Sequence, residues 1–265
     1  MLFAANLSIL WPELPLADRF ERAARAGFAA VELWWPGLAA ARSLPALTAR
    51  WGLRLVLLNF DAGDMAAGER GLAGDPGRQE RLRASVPDAL AIARDCGCTR
   101  LNLLLGLRQD RYSPGRQLAC ARDNVAWAAD LAAPAGCEVM IEAINPMDNG
   151  PVLLSTTAAA ASFAGSVARE NVRLQYDVYH MQRMEGDLVS TLDAYWPLIG
   201  HIQIADVPGR HEPGTGEINY PFVLDHLDAR GYQGAVGLEY HPSTGRAEDS
   251  FGWLAEYRAA RDHRP

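Results

Sequence analysis

The run Ala135-Gly136-Cys137-Glu138-Val139-Met140-Ile141-Glu142-Ala143 contains the pattern from which the rest of the chain is read. Glycine stops a helix, because the residue after a helix end commonly adopts the left-handed conformation that glycine tolerates. An apolar stretch without polar alternation follows, as in a strand covered on both faces. A carboxylate then closes the strand. The same order of parts recurs in both directions, with helix-stopping glycines at Gly27, Gly52, Gly97 and Gly231. Strands are expected at Phe3–Leu7, Ala30–Trp34, Arg54–Phe60, Arg100–Leu105, Glu138–Ala143, Val172–Val178, His201–Ala205 and Ala235–Tyr240. Helical stretches rich in Ala, Arg and Leu fall near 15–26, 42–51, 78–96, 116–133, 156–168, 187–196, 220–230 and 249–261.

Eight strand–helix units in 265 residues give about 33 residues each, the size of a βαβ repeat. This predicts an α/β chain folded as one (β/α)8 TIM barrel over residues 1–265. An open doubly wound sheet is the alternative. It calls for a glycine-rich phosphate turn after the first strand, and Leu7-Ser8-Ile9-Leu10-Trp11-Pro12 is not one.

Composition narrows the chemistry. With 49% hydrophobic and 22% charged residues, the chain can build a full core. Its net charge of −7 disfavours nucleic acid, whose phosphates it would repel. All 25 basic residues are arginine, so Schiff-base and pyridoxal-phosphate chemistry is excluded, as is a Walker A lysine. Cys96, Cys98, Cys120 and Cys137 form no CxxC pair and read as small apolar residues of a reducing compartment. The start of the chain lacks the basic region of a signal peptide, and no apolar run reaches the ~20 residues of a membrane span. The expectation is a cytoplasmic protein with no membrane partner; a homo-oligomer is left open.

Four strand ends carry oxygen donors: Glu142, Asp177, Gln203 and Glu239. They are spaced by about 35, 26 and 36 residues, each close to one repeat, so a barrel brings them together at its mouth. Three carboxylates gathered without a counter-charge would cost several kcal/mol. A divalent metal relieves that cost, and an all-oxygen donor set suits Mg²⁺ or Mn²⁺. With the ion bound, the cluster still carries one net negative charge, so an anionic substrate needs a cation. Arg210 is the first candidate and Arg70 the second. His180, three residues past Asp177, overhangs the same mouth as a substrate hydrogen-bond donor. His201 faces inward beneath it. His211, His226, His241 and His263 default to surface or loop roles. Trp34-Trp35 reads as barrel packing or a pocket wall. Two glycine- and proline-rich loops, 61–77 and 207–217, lie beyond strand ends, where lids form.

Several segments resemble the hydroxypyruvate isomerase family of xylose-isomerase-like barrels. They are Ile141-Glu-Ala-Ile-Asn145, Leu174-Gln-Tyr-Asp-Val-Tyr-His-Met-Gln182, the run from Gly200 to Tyr220, and Gly237-Leu-Glu-Tyr240. Phe3–Ser8 and Gly63–Gly71 resemble that family's opening strand and lid. The resemblance implies interconversion of hydroxypyruvate and tartronate semialdehyde, with a place in glyoxylate and carbohydrate-acid metabolism. It implies Glu142 and Glu239 as the catalytic acid/base pair and Glu142, Asp177, Gln203 and Glu239 as metal ligands. A similar subgroup isomerises 2-oxo-tetronate, and ketose 3-epimerases share the barrel with histidine in the place of Gln203. Hydride-shift isomerases of this barrel use two metals and a lysine; a chain without lysine points instead to proton transfer through an enediolate.

Overall fold

In a computed structural model, which describes residues 1–262, eight parallel strands close on themselves in the order β1 to β8. They are β1 (Leu2–Asn6), β2 (Ala30–Leu33), β3 (Arg54–Asn59), β4 (Arg100–Asn102), β5 (Glu138–Glu142), β6 (Val172–Asp177), β7 (Ile199–Ile204) and β8 (Ala235–Leu238). Pairing of β1 with β8, Leu2 opposite Ala235, closes the ring and excludes the open sheet.

The helices are α1 (Leu16–Arg25), α2 (Leu38–Ala41), α3 (Leu44–Trp51), α4 (Gln79–Asp95), α5 (Pro114–Ala132), α6 (Pro146–Asn149), α7 (Thr157–Val167), α8 (Val178–Met184), α9 (Leu188–Tyr195), α10 (Tyr220–Ala229) and α11 (Gly252–Asp262). Their starts follow from side-chain chemistry. Ser113 caps α5, Thr156 caps α7 and Asn219 caps α10, each accepting a backbone N–H that the helix leaves unpaired. Gly136, at φ 66°, makes the left-handed turn into β5 expected from the sequence.

Two differences from the expected elements matter for the site. Strand β4 ends at Asn102 rather than Leu105, because the chain turns aside there and Leu105 bridges Gly71 of the first lid. Strand β6 gives way at once to α8, because Asp177 accepts the N–H of Tyr179 at 2.8 Å and caps a helix beginning at Val178. The side chain that closes the strand also starts the helix, and it places His180 on the first turn.

Inside the barrel, Ala4, Ala30 and Ala235 pack at the N-terminal end. Towards the C-terminal end lie buried polar side chains: Asn6, Glu32, Asn59, Asn102, Gln175, His201 and Gln203. The cysteines are free thiols, and burial pushes Cys98 up to about 12, in keeping with core packing. Among the described residues, no helix is long and apolar enough to cross a membrane. His263 lies outside the described residues.

Candidate active site

The C-terminal mouth opens into a cavity of about 680 Å³ lined by side chains from several strand ends and both lids. Glu142 ends β5, Asp177 ends β6, and Glu239 follows β8 directly. All three are buried. Together with His180 they bring one donor atom each within 4.8 Å of one another.

Each group is held by identifiable neighbours. Glu142 accepts a hydrogen bond at Oε2 from Asn102 Nδ2, 2.8 Å away. Glu239 Oε1 accepts from Trp34 Nε1 at 2.6 Å and Asn6 Nδ2 at 3.2 Å, and its Oε2 meets Arg210 Nη2 at 2.5 Å. Arg210 also lies 3.6 Å from Asp177 Oδ2. That oxygen is buried with no hydrogen-bond partner. Two carboxylates therefore share one guanidinium, whose charge also reaches Glu142. Burial, followed by the charges of Glu239 and Asp177, pushes the Glu142 carboxyl well above the usual range. Burial likewise raises Asp177, and pushes Glu239 up to about 7 despite Arg210.

The orphaned Asp177 oxygen and the excess of carboxylates fit a divalent cation. Glu142, Asp177 and Glu239 supply hard oxygen donors of the kind such an ion takes. His180 is suited to another role. Its Nδ1 lies 2.7 Å from Asn145 Nδ2, and the Asn145 amide is oriented by its cap of α6, with Oδ1 accepting from Asp148 N and Nδ2 donating to Asp148 Oδ2. Nδ1 is thus an acceptor and Nε2 carries the proton, assigned from the network. Burial, then Arg210 and Arg183, hold the ring's pKa well below its ordinary value, so it is neutral. Its Nε2–H faces Asp177 Oδ2 at 3.5 Å and Glu142 Oε1 at 3.9 Å.

Gln203 sits opposite Asp177 in register. Its Nε2 donates to Glu32 Oε1 at 2.7 Å and its Oε1 accepts from Gln175 Nε2 at 2.5 Å, leaving the oxygen one lone pair. Beneath it, the buried Glu32 also accepts from Asn6 at 3.0 Å and meets His201 Nε2 at 2.7 Å. His201 thus occupies the layer under the site, as expected. Trp34 is a pocket wall with a hydrogen bond to Glu239. His241 is exposed on the loop beyond β8, as expected, and from there it lines the cavity mouth, its N–H bonding Arg210 O at 2.8 Å.

Reading from the sequence alone missed Glu32, Asn6 and Asn102 as supports. A charged residue inside the apolar run Ala30-Val31-Glu32-Leu33 was the available signal, since an acid buried in a strand needs donors around it.

Comparison with known proteins places this geometry. Residues 20–257 match the xylose isomerase-like TIM barrel family. The 2-oxo-tetronate isomerase of Cupriavidus necator is 41% identical over 96% of this chain and 98% of its own length. The hydroxypyruvate isomerase of Escherichia coli is 40% identical over 97% of this chain and 99% of its own. The crystal structure of an AP endonuclease, family 2, from Brucella melitensis superposes with a TM-score of 0.90 at 36% identity, covering 97% of this chain and 98% of that one. With its closed barrel and a family match over most of its length, the chain belongs to the xylose isomerase-like TIM barrels.

Proposed function

We propose that this protein is an isomerase of small oxo acids that interconverts hydroxypyruvate and tartronate semialdehyde by proton transfer through an enediolate. The observation that carries the reading is the pair Glu142 and Glu239: two buried carboxyls of raised pKa, close together in one cavity. A carboxyl poised near neutrality, as burial makes Glu239, both accepts and returns a proton efficiently. The relatives named for hydroxypyruvate and for 2-oxo-tetronate support the substrate class. The four-carbon acid is the second reading, favoured by a cavity of about 680 Å³, which has room beyond a three-carbon substrate.

The chain's own groups divide the work. One of the two glutamates removes the C3 proton of hydroxypyruvate and the other delivers a proton to C2. Asn102 occupies one oxygen of Glu142 and leaves Oε1 towards the cavity. Trp34 and Asn6 fix Glu239, so each carboxyl is aimed before substrate arrives. His180, neutral and protonated at Nε2, donates to an oxygen on which negative charge develops. Arg210 balances the cluster and faces the same substrate. Glu142, Asp177, Glu239 and the free lone pair of Gln203 would hold a divalent cation, with Mg²⁺ or Mn²⁺ favoured by the oxygen set. Such an ion supplies Lewis-acid stabilisation of substrate oxygens.

The test is turnover of hydroxypyruvate in deuterated water. Deuterium in both product and recovered substrate is expected. Turnover with no label from solvent would overturn proton transfer, and no turnover of either acid would overturn the isomerase reading.

A further inference from the structure

We propose that Arg70, on the lid after β3, receives the substrate's carboxylate and is the residue that selects acids over neutral sugars. The inference rests on the oxo-acid isomerase reading above. Three arginines line the cavity: Arg70, Arg183 and Arg210. Arg210 is bound to Glu239 and lies near Asp177. Arg183 is bound to Asp148 at 2.7 Å and to the Tyr179 hydroxyl at 2.9 Å. Arg70 alone of the three has no carboxylate partner among the described residues.

Its neighbours in the lid explain why. The Glu69 carboxylate turns to Arg78 at 2.6 Å and to the N–H of Asp64. Asp61 is taken by Arg81 at 3.0 Å. Glu69 and Asp61 are thereby engaged by other arginines, and Arg70 pairs with no carboxylate among the described residues.

Arg70 is also fixed in place. Its Nε donates to Asn149 Oδ1 at 2.9 Å, and Nη1 donates to the carbonyls of Met65 at 3.0 Å and Glu69 at 2.8 Å. The Asn149 amide is itself oriented by donating to Asn145 O at 3.1 Å. Next to Arg70, Gly71 N donates to Ala62 O at 3.0 Å, and Gly71 bridges Leu105, which pins the lid to the barrel rim. Three of the guanidinium's five donor positions are thus spent on orientation, while Nη2 has no partner among the described residues. A preorganised, unpaired guanidinium in a cavity is suited to a carboxylate. With Arg210 offsetting the glutamates, Arg70 gives the substrate acid a separate cation in the same cavity.

The experiment is calorimetric titration of the full chain with tartronate, an acid that cannot isomerise, and with dihydroxyacetone, a neutral analogue. Proteins compared are wild type, Arg70→Gln and Arg70→Lys. Arg70→Gln is expected to weaken tartronate on the order of 10- to 100-fold, with dihydroxyacetone the same as for wild type and Arg70→Lys recovering part of the loss. Equal weakening of both ligands would make Arg70 a strut of the lid and overturn the proposal, as would unchanged tartronate affinity in Arg70→Gln or no tartronate binding by wild type. Turnover of hydroxypyruvate and of 2-oxo-tetronate is assayed alongside. A wild type that binds tartronate through Arg70 but isomerises neither acid would overturn the isomerase reading and leave the role of Arg70 standing.

Discussion

Asn145 Nδ2 lies 2.7 Å from Nδ1 of His180, and this contact decides which ring nitrogen of His180 carries the proton. Asn145 cannot turn its oxygen to the ring without losing its cap on Asp148 N, 3.0 Å away. An Asn145→Ser variant keeps a good capping residue and removes the donor. Expected results are a kcat lowered about tenfold, a smaller change in KM, and an unchanged circular dichroism spectrum. Nitrogen chemical shifts of labelled histidine should report the Nε2–H form in wild type and a mixture in the variant. The Nδ1–H form in wild type would refute the assignment.

The crowded carboxylates make the metal-free protein sensitive to pH. Glu239 moves from an ordinary 4.5 to about 7 on folding, so between those values the folded state binds more protons than the unfolded one. The stability associated with this group is full below pH 4.5 and is lost as pH rises towards 7. At about 1.4 kcal/mol per pKa unit, the ceiling on that loss is roughly 3 kcal/mol. Glu239→Gln mimics the protonated form. In the presence of chelator its Tm should exceed that of wild type by a few degrees at pH 8, with no difference at pH 4. His180, whose lowered pKa acts in the opposite direction below about pH 6.5, is common to both proteins and cancels. Added Mn²⁺ should reverse the order by stabilising wild type more.

These features differ in how far they can be read from sequence. Carboxylates spaced by one repeat identify the mouth because a barrel adds one strand per repeat, and Glu142, Asp177 and Glu239 do meet there. The lids were visible as glycine and proline between strands. Partners were not visible. Gln203 has the same spacing signal as the carboxylates, yet its amide is shared with Glu32 and Gln175, since side-chain pairing across the barrel depends on distances that repeat length does not encode. Sequence position ranks Arg210 ahead of Arg70 and passes over Arg183, whereas the partners of the nearby acids Glu69, Asp148 and Glu239 are what separate the three. Helix α8 was hidden because Asp177 serves both strand and helix.

Gly237 supports the buried layer beneath the site. A Cβ there would stand 2.3 Å from both carboxylate oxygens of Glu32, which accept from Asn6 and Gln203 and pair with His201. Gly237→Ala must displace Glu32 and leave buried donors unpaired. The expected loss is about 2–4 kcal/mol in urea unfolding. Activity should fall further than stability explains, because Asn6 joins Glu32 to Glu239. An unchanged midpoint would show that Glu32 moves freely and that the layer is not a support.

Glu142 and Glu239 are proposed to act on different carbons, so their removal should differ in kind as well as degree. Glu142→Gln and Glu239→Gln should each lower turnover of hydroxypyruvate by ~10²–10⁴, the range for loss of a general acid or base. A variant that keeps the glutamate attacking C3 can still remove that proton and return it, since the first half of the reaction needs only one carboxyl. Exchange of deuterium into recovered hydroxypyruvate is therefore expected from one variant and not from the other. Metal content is measured in both, because loss of the ion would abolish exchange in both together. Exchange retained equally by the two, with the ion bound, would mean that a single carboxyl serves both carbons and that the pair has no division of labour.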